Sequence, residues 1–272
     1  MAFALSITNL LDALQQPGCP ICRLFRQASQ RAIESFLWEN VNEPDVRQGI
    51  IASYGFCNAH TRVMVAQELY TSSIALGTNI IYEHLGRLAA QELKDLRPGA
   101  DGRPSVWAQI KRFSIRCIGW LKQRIKFQSG QLDAALPLQP RGSCPACQAG
   151  NNAALNSLHV LCEEITRQSD LREKYLASDG LCLNHIRPAI QLYARRFPDA
   201  VRLLVDDSVS RLTGQSAAMK EYIRKSNWSY RDEKTTEAEG TAWRKTLTFF
   251  TGLPPASFTH QVDRDSPDSE TV

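Results

Sequence analysis

Gly55-Phe56-Cys57-Asn58-Ala59-His60 is answered further along the chain by Gly180-Leu181-Cys182-Leu183-Asn184-His185. Ahead of each lies a second matched motif, Cys19-Pro20-Ile21-Cys22 and Cys144-Pro145-Ala146-Cys147. The register is the same throughout: position 19 maps to 144 and position 60 to 185, an offset of 125 with no gap. The correspondence continues through Asp45-Val46-Arg47 and Asp170-Leu171-Arg172, Ala52-Ser53 and Ala177-Ser178, and Arg62 and Arg187. Glu39 pairs in the same way with Glu164, and Ala28 with Ala153. One CPxC arises easily by chance. The same two motifs in the same register twice read as an internal duplication.

Each copy therefore carries two thiols three residues apart, then a thiol and an imidazole three apart. Such spacing lets one turn of backbone present two ligands to one ion, and two such pairs complete a tetrahedron around Zn²⁺. The expected metal ligands are Cys19, Cys22, Cys57 and His60 in the first copy, and Cys144, Cys147, Cys182 and His185 in the second. Both motifs open helices, whose free N–H groups favour thiolate. The ligand chemistry predicts two zinc ions. Iron–sulfur clusters with three Cys and one His, or dithiol redox chemistry at CPxC, use the same residues and stay open. Closure of each site within its own copy is expected, because each holds a full ligand set, although CPxC of one copy could instead meet CxxH of the other.

The residues between the motifs carry secondary candidates. Asp45 with Arg47 and Asp170 with Arg172 read as caps and ion pairs anchoring a short helix near the metal. Arg62 and Arg187, two positions past the histidines, are candidates for hydrogen bonds to the thiolates. Cys117 and Cys162 have no cysteine at the matched position and read as small buried apolar residues. His84 and His159 read as ordinary helix residues, and Glu163-Glu164 as a solvated face. No catalytic residue and no organic-cofactor site can be assigned. The chain has no Gly-rich phosphate loop, GxSxG or HExxH, and no nucleophile–base arrangement can be picked out, which argues against an enzyme.

The pairing CPxC…GxCxxH, with the Asp/Arg stretch between and Ala75-Leu76-Gly77…Ile81-Tyr82-Glu83 after it, resembles an uncharacterised bacterial domain-of-unknown-function family. The likeness spans roughly residues 15 to 225. It implies no activity.

Apolar positions around the motifs recur at helical spacing and nowhere alternate, so the expected fold is all-α. Helices are predicted from Pro20 to Val41, near Pro44 up to Gly55, from about Asn58, and from Asn79 to Leu96. The scheme repeats in the second copy. Residues 1–96 form the first metal-binding repeat and 144–226 the second. Residues 97–143 hold a Pro/Gly-rich loop, a basic helix and a linker, and 227–272 a short helix through Trp243, Leu247 and Phe250 followed by a polar, disordered tail.

The segment 106–127 carries Lys111, Arg112, Arg116, Lys122, Arg124 and Lys126 without an acidic residue, interleaved with Trp107, Ile110, Phe113, Trp120 and Leu121. It fits a core helix with a solvated basic face. It also fits a helix that binds nucleic acid, an anionic membrane surface or an acidic partner.

Apolar residues make up 43% of the chain and charged ones 22%, as in ordinary folded proteins, and the net charge of +4 does not by itself imply nucleic acid. No run of eighteen apolar residues suggests a membrane span. The N-terminus lacks a basic leader and carries Asp12, unlike a secretory signal. Eight cysteines in a chain of this length, without an export signal, point to a reducing cytoplasm and to metal or redox roles. The expected function is a metal-stabilised helical scaffold that binds a protein partner. Redox or electron transfer and nucleic-acid association are the alternatives.

Overall fold

The computed structural model describes residues 2–40, 43–72, 75–96, 139–168, 170–230 and 232–252. Among them every regular element is helical: α1 (Ala2–Leu14), α2 (Pro20–Ser35), α3 (Pro44–Ala52), α4 (Asn58–Ser72), α5 (Leu76–Leu96), α6 (Pro145–Thr166), α7 (Asp170–Ala177), α8 (Leu183–Tyr193), α9 (Pro198–Lys225) and α10 (Glu237–Thr251). The basic segment 106–127, the loop at 97–104, Cys117 and the tail beyond Pro254 lie outside the described residues. No described helix is long and apolar enough to cross a membrane.

Two compact units divide the chain. One comprises Met1–Ser29 with Ala149–Val272, the other Gln30–Gln148. In the first, α1 and the start of α2 contribute Leu10, Ala13, Leu14, Ile21 and Leu24 to a core completed by Leu158, Leu161, Tyr175, Ala189 and Leu204. In the second, Ile33, Phe36, Leu37, Ile50, Phe56, Met64, Ile81 and Leu85 enclose Cys144 and Ala146.

Local sequence explains the element ends. Pro20, Pro44, Pro145 and Pro198 each stand at the first helical position, where a missing N–H costs nothing. After Phe36 the backbone widens into a π-turn, Phe36–Asn40, and Asn40 donates back to the Ser35 carbonyl at 3.3 Å. α3 stops where Tyr54 (φ 53) and Gly55 (φ 94) turn left-handed and the Gly55 N–H reaches the Ile50 carbonyl at 2.8 Å. Gly180 (φ 76) makes the matching turn after α7. Ser53 and Ser178 each donate to the carbonyl three residues back, at 3.1 and 2.7 Å.

At the chain's other end, Thr236 and Glu239 form a reciprocal capping box at the start of α10. The helix through Trp243, Leu247 and Phe250 is present, but those three are exposed, while Ala242 and Thr248 form its buried side.

Candidate metal centres

The four ligand pairs share one local design. Cys19, Cys57, Cys144 and Cys182 each sit just before a helix, and each carbonyl accepts the N–H four residues on, at 3.3, 2.8, 3.0 and 2.9 Å. The second ligand of every pair is then three residues on, in the first turn, beside the first. Two ligands thus project from one helix N-terminus, where backbone N–H groups and the dipole stabilise negative sulfur.

The pairs converge as two foursomes, Cys19/Cys22/Cys182/His185 and Cys57/His60/Cys144/Cys147, with the ligand atoms of each set within 4.8 Å of one another. In the first, His185 Nδ1 lies 3.5 Å from Cys19 Sγ, 3.3 Å from Cys22 Sγ and 3.2 Å from Cys182 Sγ. The Cys22 and Cys182 sulfurs are 3.5 Å apart. In the second, His60 Nδ1 lies 3.3 Å from Cys57 Sγ, 3.6 Å from Cys144 Sγ and 3.3 Å from Cys147 Sγ. Cys57 and Cys147 Sγ stand 3.7 Å apart. A tetrahedral zinc has S···N edges of about 3.6 Å and S···S edges of about 3.8 Å, from its usual bond lengths. These four edges of each set agree with that shape to within a few tenths of an ångström.

Closure of each site within its own half of the sequence, expected above, is therefore corrected: each foursome takes CPxC from one half and CxxH from the other. The reason lies in α2. Phe56, next to Cys57, packs edge-on against Phe36 with ring centroids 5.5 Å apart. Phe36 is carried some 20 Å along the chain from Cys22 by the helical rise. Cys57 is thereby held beside Phe36, in the same unit as Cys144 and Cys147. Short contacts then fix the exchanged partners. The Gly18 N–H, just before Cys19, donates to Asp179 Oδ2 at 2.6 Å, and the Arg141 and Gly142 N–H groups, just before Cys144, donate to the Ala52 carbonyl at 2.6 and 3.0 Å.

The protonation pattern suits a cation. Burial opposes ionisation of Cys19, but hydrogen bonds from Cys182, Cys22 and His185 outweigh it and hold this thiol well below its ordinary value. Its neighbour Cys22 is pushed up by its hydrogen bonds to Cys182 and Cys19 and by burial. Burial pulls His185 down, yet the sulfurs of Cys182 and Cys19 raise it to about 9. In the second set burial acts against Cys57 and the His60 N–H and the other two thiols lower it, whereas burial and the neighbouring sulfurs push Cys147 up to about 12. His60 is lowered by burial. One thiol in each set, Cys19 or Cys57, is thus favoured as thiolate, while Cys22 and Cys147 hold their protons. A divalent cation displaces such protons on binding.

The secondary candidates stand elsewhere. Arg62 and Arg187 are exposed and make no hydrogen bond or ion pair among the described residues. Two residues along a helix turn the side chain by roughly 200°, away from the histidine's face. Asp45, Asp170 and Arg172 are also exposed, without a partner linking either Asp to its Arg. Arg47 donates instead to His84 Nδ1 at 3.2 Å. His159 lies in a ring cluster with Tyr193 and Phe197, at centroid distances of 5.6 and 5.4 Å. Cys162 is fully buried. Glu164 is buried too, contrary to a solvated face, and pairs with Arg167 at 2.8 Å.

Supporting residues that the motifs did not reveal are Asp179, Tyr82 and Glu68. The Tyr82 hydroxyl accepts the Phe56 N–H at 3.3 Å beside Gly55. Buried Glu68 accepts the Gly77 and Thr78 N–H groups that open α5. A tyrosine or an acid on a helix is too common for its spacing to announce such a role.

Fold and site together define an all-α protein with two four-ligand Cys/His clusters. The chain belongs to the family of unknown function DUF6062, whose pattern matches residues 1–253. No curated protein and no solved structure matches it.

Proposed function

We propose that each cluster holds one zinc ion and that the protein is a non-enzymatic scaffold whose metal ions tie the two copies together, presenting its helical surface to a protein partner. The observation that carries this reading is the convergence of all eight ligands into two closed sets, each with two ligands from either copy. Three sulfurs and one nitrogen complete a tetrahedron and leave no open position for a substrate, the usual form of structural zinc. The spacing also supports a single ion over an iron–sulfur cluster. A cluster's cysteines bind different irons and stand farther apart than ligands that share one ion, and here every set lies within 4.8 Å.

The matched positions favour an ancestral duplication. Ile33 and Leu158, Phe36 and Leu161, Ile50 and Tyr175, Phe56 and Leu181, and Met64 and Ala189 are all buried. The described cysteines are free, which fits a reducing compartment.

Purification without added metal, elemental analysis and an absorption spectrum test the reading. Two zinc per chain in a colourless protein are expected, with loss of helical signal on chelation, because binding energy here is folding energy. Iron with visible absorption, or a well-folded chain without metal, would overturn it.

A further inference from the structure

The chain places a third element on the cluster built from Cys19, Cys22, Cys182 and His185. α10 ends at Gly252, which is buried, left-handed (φ 72) and hydrogen-bonded from its N–H to the Thr248 carbonyl at 2.7 Å. A Cβ built on Gly252 would overlap the Sγ of Cys22 and stand 3.3 Å from the Sγ of Cys182. The backbone of the helix end thus lies directly on two of the three sulfurs. α10 is held there along its length. It packs on α9 and α8, Phe249 joins the apolar core, and Lys225 pairs with Glu239 at 2.8 Å near the helix start.

We propose that Gly252 is a positioning residue for this cluster, and that the end of α10 is the cap through which the metal is retained. The proposal rests on the zinc reading above. Metal leaves a thiolate site when water, protons or a competing ligand reach the sulfurs. A backbone lying against Cys22 and Cys182 closes that approach and fixes the Cys22 rotamer that points its sulfur at His185 Nδ1. Only glycine satisfies both demands at this position: any Cβ displaces Cys22, and the left-handed backbone disfavours most side chains. The coupling runs both ways. A loaded cluster holds Cys22 and Cys182 in the arrangement on which the helix end rests, so seating of α10 depends on metal.

The test is metal transfer from the purified full-length protein to a chromogenic chelator, followed for wild type, Gly252→Ala, Gly252→Asn and Gly240→Ala. Gly240 lies in α10 with nothing within 4 Å of a built Cβ, so its variant controls for altering the helix alone. Gly252→Ala should release one of two zinc ions faster by on the order of 10–100-fold, the range for residues that support a metal's ligands. The other zinc, and both in Gly240→Ala, should leave at the wild-type rate. Asparagine tolerates the left-handed backbone but still brings a Cβ. It should release zinc as fast as alanine if the collision matters, and rescue at Asn would refute the proposal in favour of backbone strain. Wild-type release rates in both Gly252 variants would refute it as well.

Should the Gly252 variants fail to fold, hydrogen exchange on wild type decides. The α10 amides should lose protection when metal is removed, and unchanged protection overturns the coupling. A wild-type protein that carries no metal would instead overturn the zinc reading itself.

Discussion

A cut in the chain between the copies should leave two fragments held together by metal. A protease site inserted at Gly130 would separate residues carrying Cys19, Cys22, Cys57 and His60 from those carrying Cys144, Cys147, Cys182 and His185. In the exchanged arrangement each cluster draws two residues from either fragment, so both proposed ions would bridge them. Apolar contacts alone leave the balance near zero. Leu10, Leu14, Ile21 and Leu24 come from the first fragment and are buried in a core built mainly from the second, for roughly 6–12 kcal/mol together. Bringing two chains together costs roughly 4–15 kcal/mol. A structural zinc adds about 10–16 kcal/mol when bound, so the metal decides. The cleaved protein should elute from a sizing column as one species with two zinc, and separate after chelation at micromolar concentration. Fragments that part readily while each keeps one zinc would refute the exchanged pairing.

Two further predictions follow from particular side chains. Cys22→Ser with Cys57→Ser should abolish both metal sites, since these residues serve different clusters, whereas Cys22→Ser with Cys182→Ser should leave one zinc per chain by elemental analysis. Closure within each copy would give the opposite counts. Cys162 is fully buried, and burial pushes its thiol from 9.0 to about 12. The unfolded chain ionises this thiol above about pH 9 while the folded one keeps its proton, so the stability it contributes is whole below pH 9 and is lost as pH rises towards 12. That loss is up to about 4 kcal/mol. Denaturant unfolding at pH 8 and 10.5 should show a smaller decline in Cys162→Ala than in wild type; equal declines would argue against it.

The two Cys/His clusters were legible because the same two motifs recur at one offset and pick eight residues out of the sequence, and the helices because Ile21, Ile33 and Phe36 recur at helical spacing. Gly55 marked the end of α3, where the backbone does turn left-handed. The pairing of the sites was not legible, since within-copy and exchanged closure use identical spacing. The π-turn at Phe36–Asn40 follows no local signal. The arginines at 62 and 187 were misplaced by sequence proximity, where helical rotation carries them to the opposite face. Gly252 stayed hidden because a glycine ending a helix is ordinary; its role depends on a cysteine 230 positions away, from 252 to 22.

Why exchange prevails is a matter of magnitudes. Within-copy closure would join Cys22 to Cys57 across 35 positions, whereas the observed contacts join Cys22 to Cys182 across 160 and Cys57 to Cys147 across 90. Loop entropy therefore favours within-copy closure, but each doubling of length changes the cost by only about 0.6 kcal/mol, giving a difference of about 1 kcal/mol per site. Against it stand the Phe36–Phe56 contact that holds the Cys57 segment beside Phe36, and the burial of α1 and early α2 side chains among α6, α7, α8 and α9. A single large apolar side chain contributes about 1.5–3 kcal/mol when fully buried. Packing outweighs loop length, so each CPxC meets the CxxH that its core has already brought beside it.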